Sequence, residues 1–226
     1  MATCQQRLPV AVRVYDPDGA EIARLPLGDL PRAHATAVDL DRVNGVAGLR
    51  GGWGHVELAY NFAAGDMADG WLHALFRYRH RFSGHAAETS FGTHIFNTVL
   101  TWRGEPQSYS GRPPGLSTRL YLRLGREGQD TLCHLIYPAS RPWHAASATD
   151  IILYDGDGEV VARMALSIPC SGSCLVHINQ LFGPKARARA GADGYAVIRD
   201  TTCRLFGYHG LLGAGGAFSL DHMFGF

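Results

Sequence analysis

The sequence predicts an all-β protein built from two tandem, internally duplicated halves of β-sandwich or jelly-roll type, with little helix. Short alternating apolar runs, 28 glycines suited to many tight turns, and motifs that recur in the same order support this prediction. No stretch of about 12 residues has a convincing amphipathic helical pattern. Because roughly 80 residues make a marginal core alone, two arrangements stay open: separate halves, or halves interleaved into one pseudo-twofold body.

The first predicted element is a β-hairpin. Val10, Val12 and Val14 alternate with more polar residues, as in a strand with one buried face. The turn Asp16–Gly19 follows, in which proline presets φ and glycine tolerates a positive φ. A return strand over 21–27 completes the hairpin.

Further strands are predicted over 35–40, 55–60 and 71–82. The last is the longest alternating run of the chain. Its arginines, at 77, 79 and 81, share one face, because successive strand side chains point to opposite sides. Since unpaired charges are rarely buried, this face is expected to lie in water.

Motifs of the first half recur in the second. Residues 14–24 align with 153–163 without a gap, which matches Tyr15 with Tyr154 and Gly19 with Gly158. Later matches keep the same order, and they pair Gly54–Val56 with Gly194–Ala196, Leu75–Tyr78 with Leu205–Tyr208, and His94 with His222. Preserved order favours duplication followed by loop loss over convergence on common hairpin chemistry.

Three segments follow from the repeat: a first β-sandwich half over 1–97, a connector over 98–150 and a second half over 151–226. The connector contains a polar loop rich in Arg, Pro and Gly. Its strands, Leu116–Leu124 and Thr131–Tyr137, are predicted to pair as a hairpin.

Composition excludes several classes of partner. Lys+Arg is 21 and Asp+Glu is 20, a net charge of +1, which gives no overall attraction to nucleic acid or an anionic membrane. No apolar run approaches a length of about 18 residues, which a membrane-spanning helix needs. The first residues do not have the pattern of a secretory signal. We therefore expect a soluble cytoplasmic protein whose five cysteines are reduced.

The connector is the first candidate site. Arginine forks and aromatic faces suit a carboxylate, a phosphate or a sugar. The alternative is an exposed hairpin whose arginines are simply solvated. The predicted ligand-binding residues are Arg103, Tyr109, Arg112, Arg119 and Tyr121.

The second candidate site uses the eleven histidines. They form no His-Glu-x-x-His pair, and the cysteines form no Cys-x-x-Cys finger. However, a pseudo-twofold axis would place His94 and His222 at equivalent positions, where two imidazoles and Asp221 could hold a divalent transition metal. A third ligand would be His73, His209 or His134. The alternative is that these histidines only support the fold.

Two functions remain. The first is a binding protein for a small polar or anionic molecule or a protein partner. The second is a metal-dependent enzyme with a histidine site between the halves. The sequence has no Gly-x-Ser-x-Gly elbow and no phosphate-loop or dinucleotide fingerprint. It leaves open the oligomeric state and whether the protein is an enzyme.

Overall fold

The structure is a computed structural model that describes residues 7–31, 33–60, 69–96, 100–102, 105–107, 118–126, 128–138 and 144–223. Its architecture is all-β and mostly antiparallel, which confirms the predicted fold class. In the described part of the chain, no helix is long and apolar enough to cross a membrane.

The strands range from two to eleven residues in length. In chain order the elements are β1 (Arg7–Tyr15), β2 (Glu21–Pro31), β3 (His55–Tyr60), β4 (Asp69–Arg79), β5 (Ala86–Phe96), β6 (Leu100–Trp102), β7 (Glu105–Gln107), β8 (Thr118–Arg123), β9 (Asp130–Ile136), β10 (Thr149–Tyr154), β11 (Val160–Leu166), β12 (Ser173–His177), helix α1 (Ile178–Ala190), β13 (Tyr195–Asp200), β14 (Phe206–Leu212) and β15 (Asp221–His222).

The first half contains a three-stranded sheet, ordered β2-β1-β3, which we call the N-terminal sheet. The predicted hairpin is confirmed: β1 pairs with β2, and Val10, Val12 and Val14 are buried on one face. The carboxylate of Asp16 closes the turn by accepting a hydrogen bond from the backbone N–H of Ala20 at 2.8 Å. Strands β4 and β5 form a separate long hairpin.

The second half, together with strands β8 and β9 of the connector, forms a sandwich of two four-stranded sheets. The front sheet has the order β11-β10-β13-β8 and the back sheet the order β12-β9-β14-β15. Their facing sides form the main core, because alternate side chains of each strand point inward. Fully buried members of this core are Leu120, Leu122, Cys133, Leu135, Ile151, Leu153 and Ile198.

The strand pairing of the first half recurs in the second. Tyr15 lies opposite His55, and Tyr154 lies opposite Tyr195. The register with the hairpin partner shifts immediately before each of these two tyrosines. Both pairs of rings stack, with centroids 5.1 Å apart. These equivalences agree with the aligned motifs, while duplication and a jelly-roll arrangement stay predictions.

The hairpin predicted within the connector is wrong. Strand β8 pairs with β13 in the front sheet, whereas β9 pairs with β12 and β14 in the back sheet. Both strands alternate apolar residues, so each contributes one face to the core, but they do so from opposite sheets. The connector therefore supplies one strand to each sheet of the second sandwich.

Helix α1 was not expected from the sequence. Its 13 residues contain Gly183, which has a non-helical backbone, and Pro184, and together they interrupt the helical pattern. Leu181, Phe182 and Ala186 pack against the sandwich core. Burial of these side chains stabilises a segment whose own helical pattern is weak.

The two halves touch at the first turn of the chain. The backbone N–H of Ser173 donates to the carbonyl oxygen of Pro17 at 3.0 Å. Gly19 lies so close to the same loop that an added Cβ would be 2.6 Å from the carbonyl oxygen of Cys170. This contact joins the turn between β1 and β2 to the loop that precedes β12.

Candidate functional site

A cavity of about 320 Å³ lies between the two halves. The N-terminal sheet contributes residues of β3, and the β4–β5 hairpin contributes the apolar side chains of Leu72, Ala74 and Phe76. The back sheet closes the other side with residues of β9, β14 and β15. A concave, largely apolar space of this size with a few polar groups is typical of a small-molecule site. The polar residues that line it are His55, Glu57, Tyr208 and His222.

Strand register places a polar row on the outer face of the back sheet. His134 lies opposite Tyr208, and Tyr208 lies opposite His222. Cys133 and Leu135 point into the sandwich core, so these three side chains point toward the N-terminal half. With strands about 4.8 Å apart, His134 and His222 are separated by roughly 10 Å. The phenol therefore lies between the two imidazoles.

His55 faces this row from β3. Its side chain is 1% exposed, and its ring stacks on Tyr15 at an interplanar angle of 9°. Its Nε2 lies 3.5 Å from Oε1 of Glu57, and neither ring nitrogen has a hydrogen-bond partner among the described residues. Buried polar groups are normally paired, so an unpaired ring beside a cavity is a functional signal.

Burial shifts the pKa of two residues of this polar row, His134 and Tyr208. Burial, with a smaller contribution from the neighbouring His55, lowers the pKa of His134 to about 4. The Nε2 atom of His134 is also buried without a partner within the described ranges. Burial raises the pKa of Tyr208, so the phenol keeps its proton at neutral pH. Tyr208 therefore offers the cavity a neutral hydroxyl group, and Glu57 adds a carboxyl group.

The predicted metal residues are only partly brought together. His222 lines the cavity, while Asp221 is 69% exposed, with its Oδ1 3.5 Å from Nδ1 of His222. His94 pairs with Trp71 through the backbone of β5, and its side chain lies outside the described residues. No group of three or more His, Cys, Asp or Glu side chains in the described part of the chain could hold a metal ion.

Strand register also bears on the equivalence of His94 and His222. In the second half His222 lies opposite Tyr208, whereas in the first half Tyr78 lies opposite Ala87. The matches Tyr78/Tyr208 and His94/His222 therefore cannot both hold as equivalent positions of one repeat. Strand register therefore agrees with the repeat in the N-terminal sheet. It does not agree when the β4–β5 hairpin is compared with β14–β15.

The predicted connector site is described in part. Arg103, Tyr109 and Arg112 lie outside the described residues. Arg119 and Tyr121 are exposed on the outer face of β8, where Arg119 lies directly opposite Arg199. The Tyr121 ring lies 5.4 Å from Tyr195, which stacks on Tyr154. This face of the front sheet is thus a tyrosine row bordered by arginines.

Two residues of the cavity, His55 and Glu57, were not predicted as site residues. The sequence signal was present, since a histidine and a carboxylate share one face of an alternating strand. His134 was named only as a third metal ligand. Comparison of the chain with protein-family models, with curated proteins and with solved structures found no match.

Proposed function

We propose that this protein binds a small, mainly apolar molecule in the cavity between its halves. The observation that carries the proposal is the buried imidazole of His55, which lines an apolar cavity and whose two ring nitrogens have no hydrogen-bond partner among the described residues. Leaving a buried polar group unpaired costs about 1–3 kcal/mol. A ligand that pairs with these nitrogens would recover that free energy, which gives the cavity a reason to be occupied.

The polar groups indicate the chemistry of the ligand. The imidazole nitrogens of His55 and the phenol of Tyr208 form hydrogen bonds, so a hydroxyl, carbonyl or amide group suits them. The carboxylate of Glu57 disfavours an anion inside the cavity. The apolar body of the ligand would contact Leu72, Ala74 and Phe76. This proposal keeps the binding class expected from the sequence and changes its location and polarity.

A second candidate function, anion binding, is supported by the outer face of the front sheet. Like charges directly opposite on neighbouring strands repel, and Arg119 and Arg199 are placed in this way. A carboxylate or phosphate bridging the two guanidinium groups would relieve the repulsion. The exposed Tyr121 would add an aromatic contact.

A thermal-shift screen of small neutral and anionic molecules tests both candidates. We expect neutral hits that raise the Tm of the wild type and of Arg119→Ala but not of Ala74→Trp, whose indole would fill the cavity. Ala86→Trp, on the exposed end of the same hairpin, is the matched control. Anionic hits that disappear in Arg119→Ala would support the second candidate instead. A screen without hits of either kind would contradict both.

The metal-dependent enzyme has no set of ligands in the described ranges to support it. Elemental analysis of the purified full chain tests it directly, because a bound transition metal would be present in stoichiometric amount.

A further inference from the structure

The cavity meets the edge of a strand. Four consecutive residues of β3, His55–Leu58, line it. Because neighbouring strand residues point to opposite faces, a cavity that touches all four must also touch the backbone edge. Within the described part of the chain no strand pairs with this second edge of β3. Every second residue of an edge strand directs its N–H and C=O outward, so this edge of β3 offers backbone donors and acceptors next to the cavity.

The corresponding edge in the second half is occupied. Strand β13 pairs with β10 as β3 pairs with β1, with Tyr195 at the place of His55. The other edge of β13 is covered by β8, in the register Tyr195 to Arg123 and Val197 to Tyr121. The cavity beside β3 therefore lies where the second half has its fourth strand.

The side chains around this edge define what would fit there. Val56 and Leu58 share one face of β3 and Glu57 the other. Glu57 is partly buried and lies opposite Arg13, but that guanidinium is paired with Glu21. An added strand would gain from apolar residues beside Val56 and Leu58 and from a cation beside Glu57.

We propose that the cavity accepts an extended peptide segment with the pattern apolar, Lys or Arg, apolar, which pairs with β3 as an additional strand. This inference rests on the proposed binding function and names the ligand class. Main-chain hydrogen bonds to the edge would provide affinity, and the alternating side chains would provide specificity. The four residues of β3 extend over roughly 13 Å, the length of a peptide of the same size.

The experiment uses a fluorescein-labelled peptide, Thr-Val-Lys-Val-Thr with a blocked C-terminus, and fluorescence polarisation with the full chain. Two control peptides carry N-methyl groups on one or the other set of alternate residues, which removes donors while keeping the side chains. We expect saturable binding, and at least about tenfold weaker binding for the control whose methylated amides face β3. Glu57→Gln, or Glu in place of Lys in the peptide, should weaken binding several-fold.

The possible failures are distinguishable. If both N-methylated peptides bind like the parent, or if no peptide binds while small molecules still do, strand addition is wrong and the cavity function stands. If Ala74→Trp changes neither peptide nor small-molecule binding, the cavity is not the site and both proposals fail. Ala86→Trp again serves as the control for a general effect of the indole.

Discussion

His134 connects the cavity to the stability of the fold. Its ring points from the back sheet toward the N-terminal half, close to the buried ring of His55. Burial disfavours the charged imidazolium of His134, and the neighbouring His55 disfavours it as well. The folded protein therefore holds His134 neutral, and acid should destabilise this contact between the halves.

Replacement of His134 by phenylalanine should reduce the pH dependence of stability. The folded pKa of about 4 lies below the ordinary value of 6.5, so the unfolded chain binds the proton first as pH falls. The contribution of neutral His134 to the free energy of unfolding is complete above pH 6.5. It is lost as pH falls toward 4, and the total loss is about 3 kcal/mol. Urea unfolding at pH 7.5 and 4.5 measures the effect.

The exposed His85 provides the control for this measurement. His85→Phe should keep the pH dependence of the wild type. If His134→Phe also keeps it in full, the imidazole at 134 is not held neutral by its surroundings.

At the scale of elements, the two tyrosine-bearing hairpins are locally alike but differ in what surrounds their turns. Gly19 has φ of 89° and Gly158 has φ of 86°, so both positions favour glycine. A Cβ added at Gly158 would be close only to the hydroxyl oxygen of Tyr195, at a distance of 3.8 Å. Gly19 instead packs against the loop of the other half.

Alanine at the two turn glycines should therefore have unequal effects. Gly158→Ala should lower the free energy of unfolding by about 1–2 kcal/mol, the strain of a left-handed backbone. Gly19→Ala should lower it further, because its Cβ would meet the carbonyl oxygen of Cys170 at 2.6 Å. Urea unfolding of both variants gives the comparison. Equal losses would show that the turn does not hold the halves together.

At the scale of the whole molecule, the end of the chain closes the back sheet. Strand β15 pairs with β14, and the backbone N–H of Met223 donates to the carbonyl oxygen of Gly207 at 2.7 Å. The Met223 side chain belongs to the buried core and also borders the cavity. The strand in this last segment is short and covers Asp221–His222.

Met223→Ala should lower the free energy of unfolding by about 2–4 kcal/mol, since it removes a buried side chain and leaves a void. Met164→Ala, at a 40% exposed position on β11, is the matched control and should change it by less than about 0.5 kcal/mol. Deletion of residues 217–226 should additionally reduce solubility, because it uncovers the edge of β14. Equal urea midpoints for the two alanine variants would show that the tail does not contribute to the core.

Local features of the fold could be predicted from the sequence. Examples are the alternation of Val10, Val12 and Val14 and the turns Asp16–Gly19 and Asp155–Gly158. Each depends only on residues that are adjacent in the chain, so the sequence alone is enough to predict it. Helix α1 was missed because Gly183 and Pro184 hide its pattern and its stability comes from packing.

The sequence by itself determined that this chain forms antiparallel strands with one buried face and where many of its turns lie. Only the tertiary structure decided which strands pair, as with β8 and β9, and that His55 lines a cavity without a hydrogen-bond partner among the described residues. The physical reason is that the alternation of apolar and polar residues along a strand suits every sheet equally well. The choice among sheets depends on contacts between residues far apart in the chain, and so does the space left beside β3.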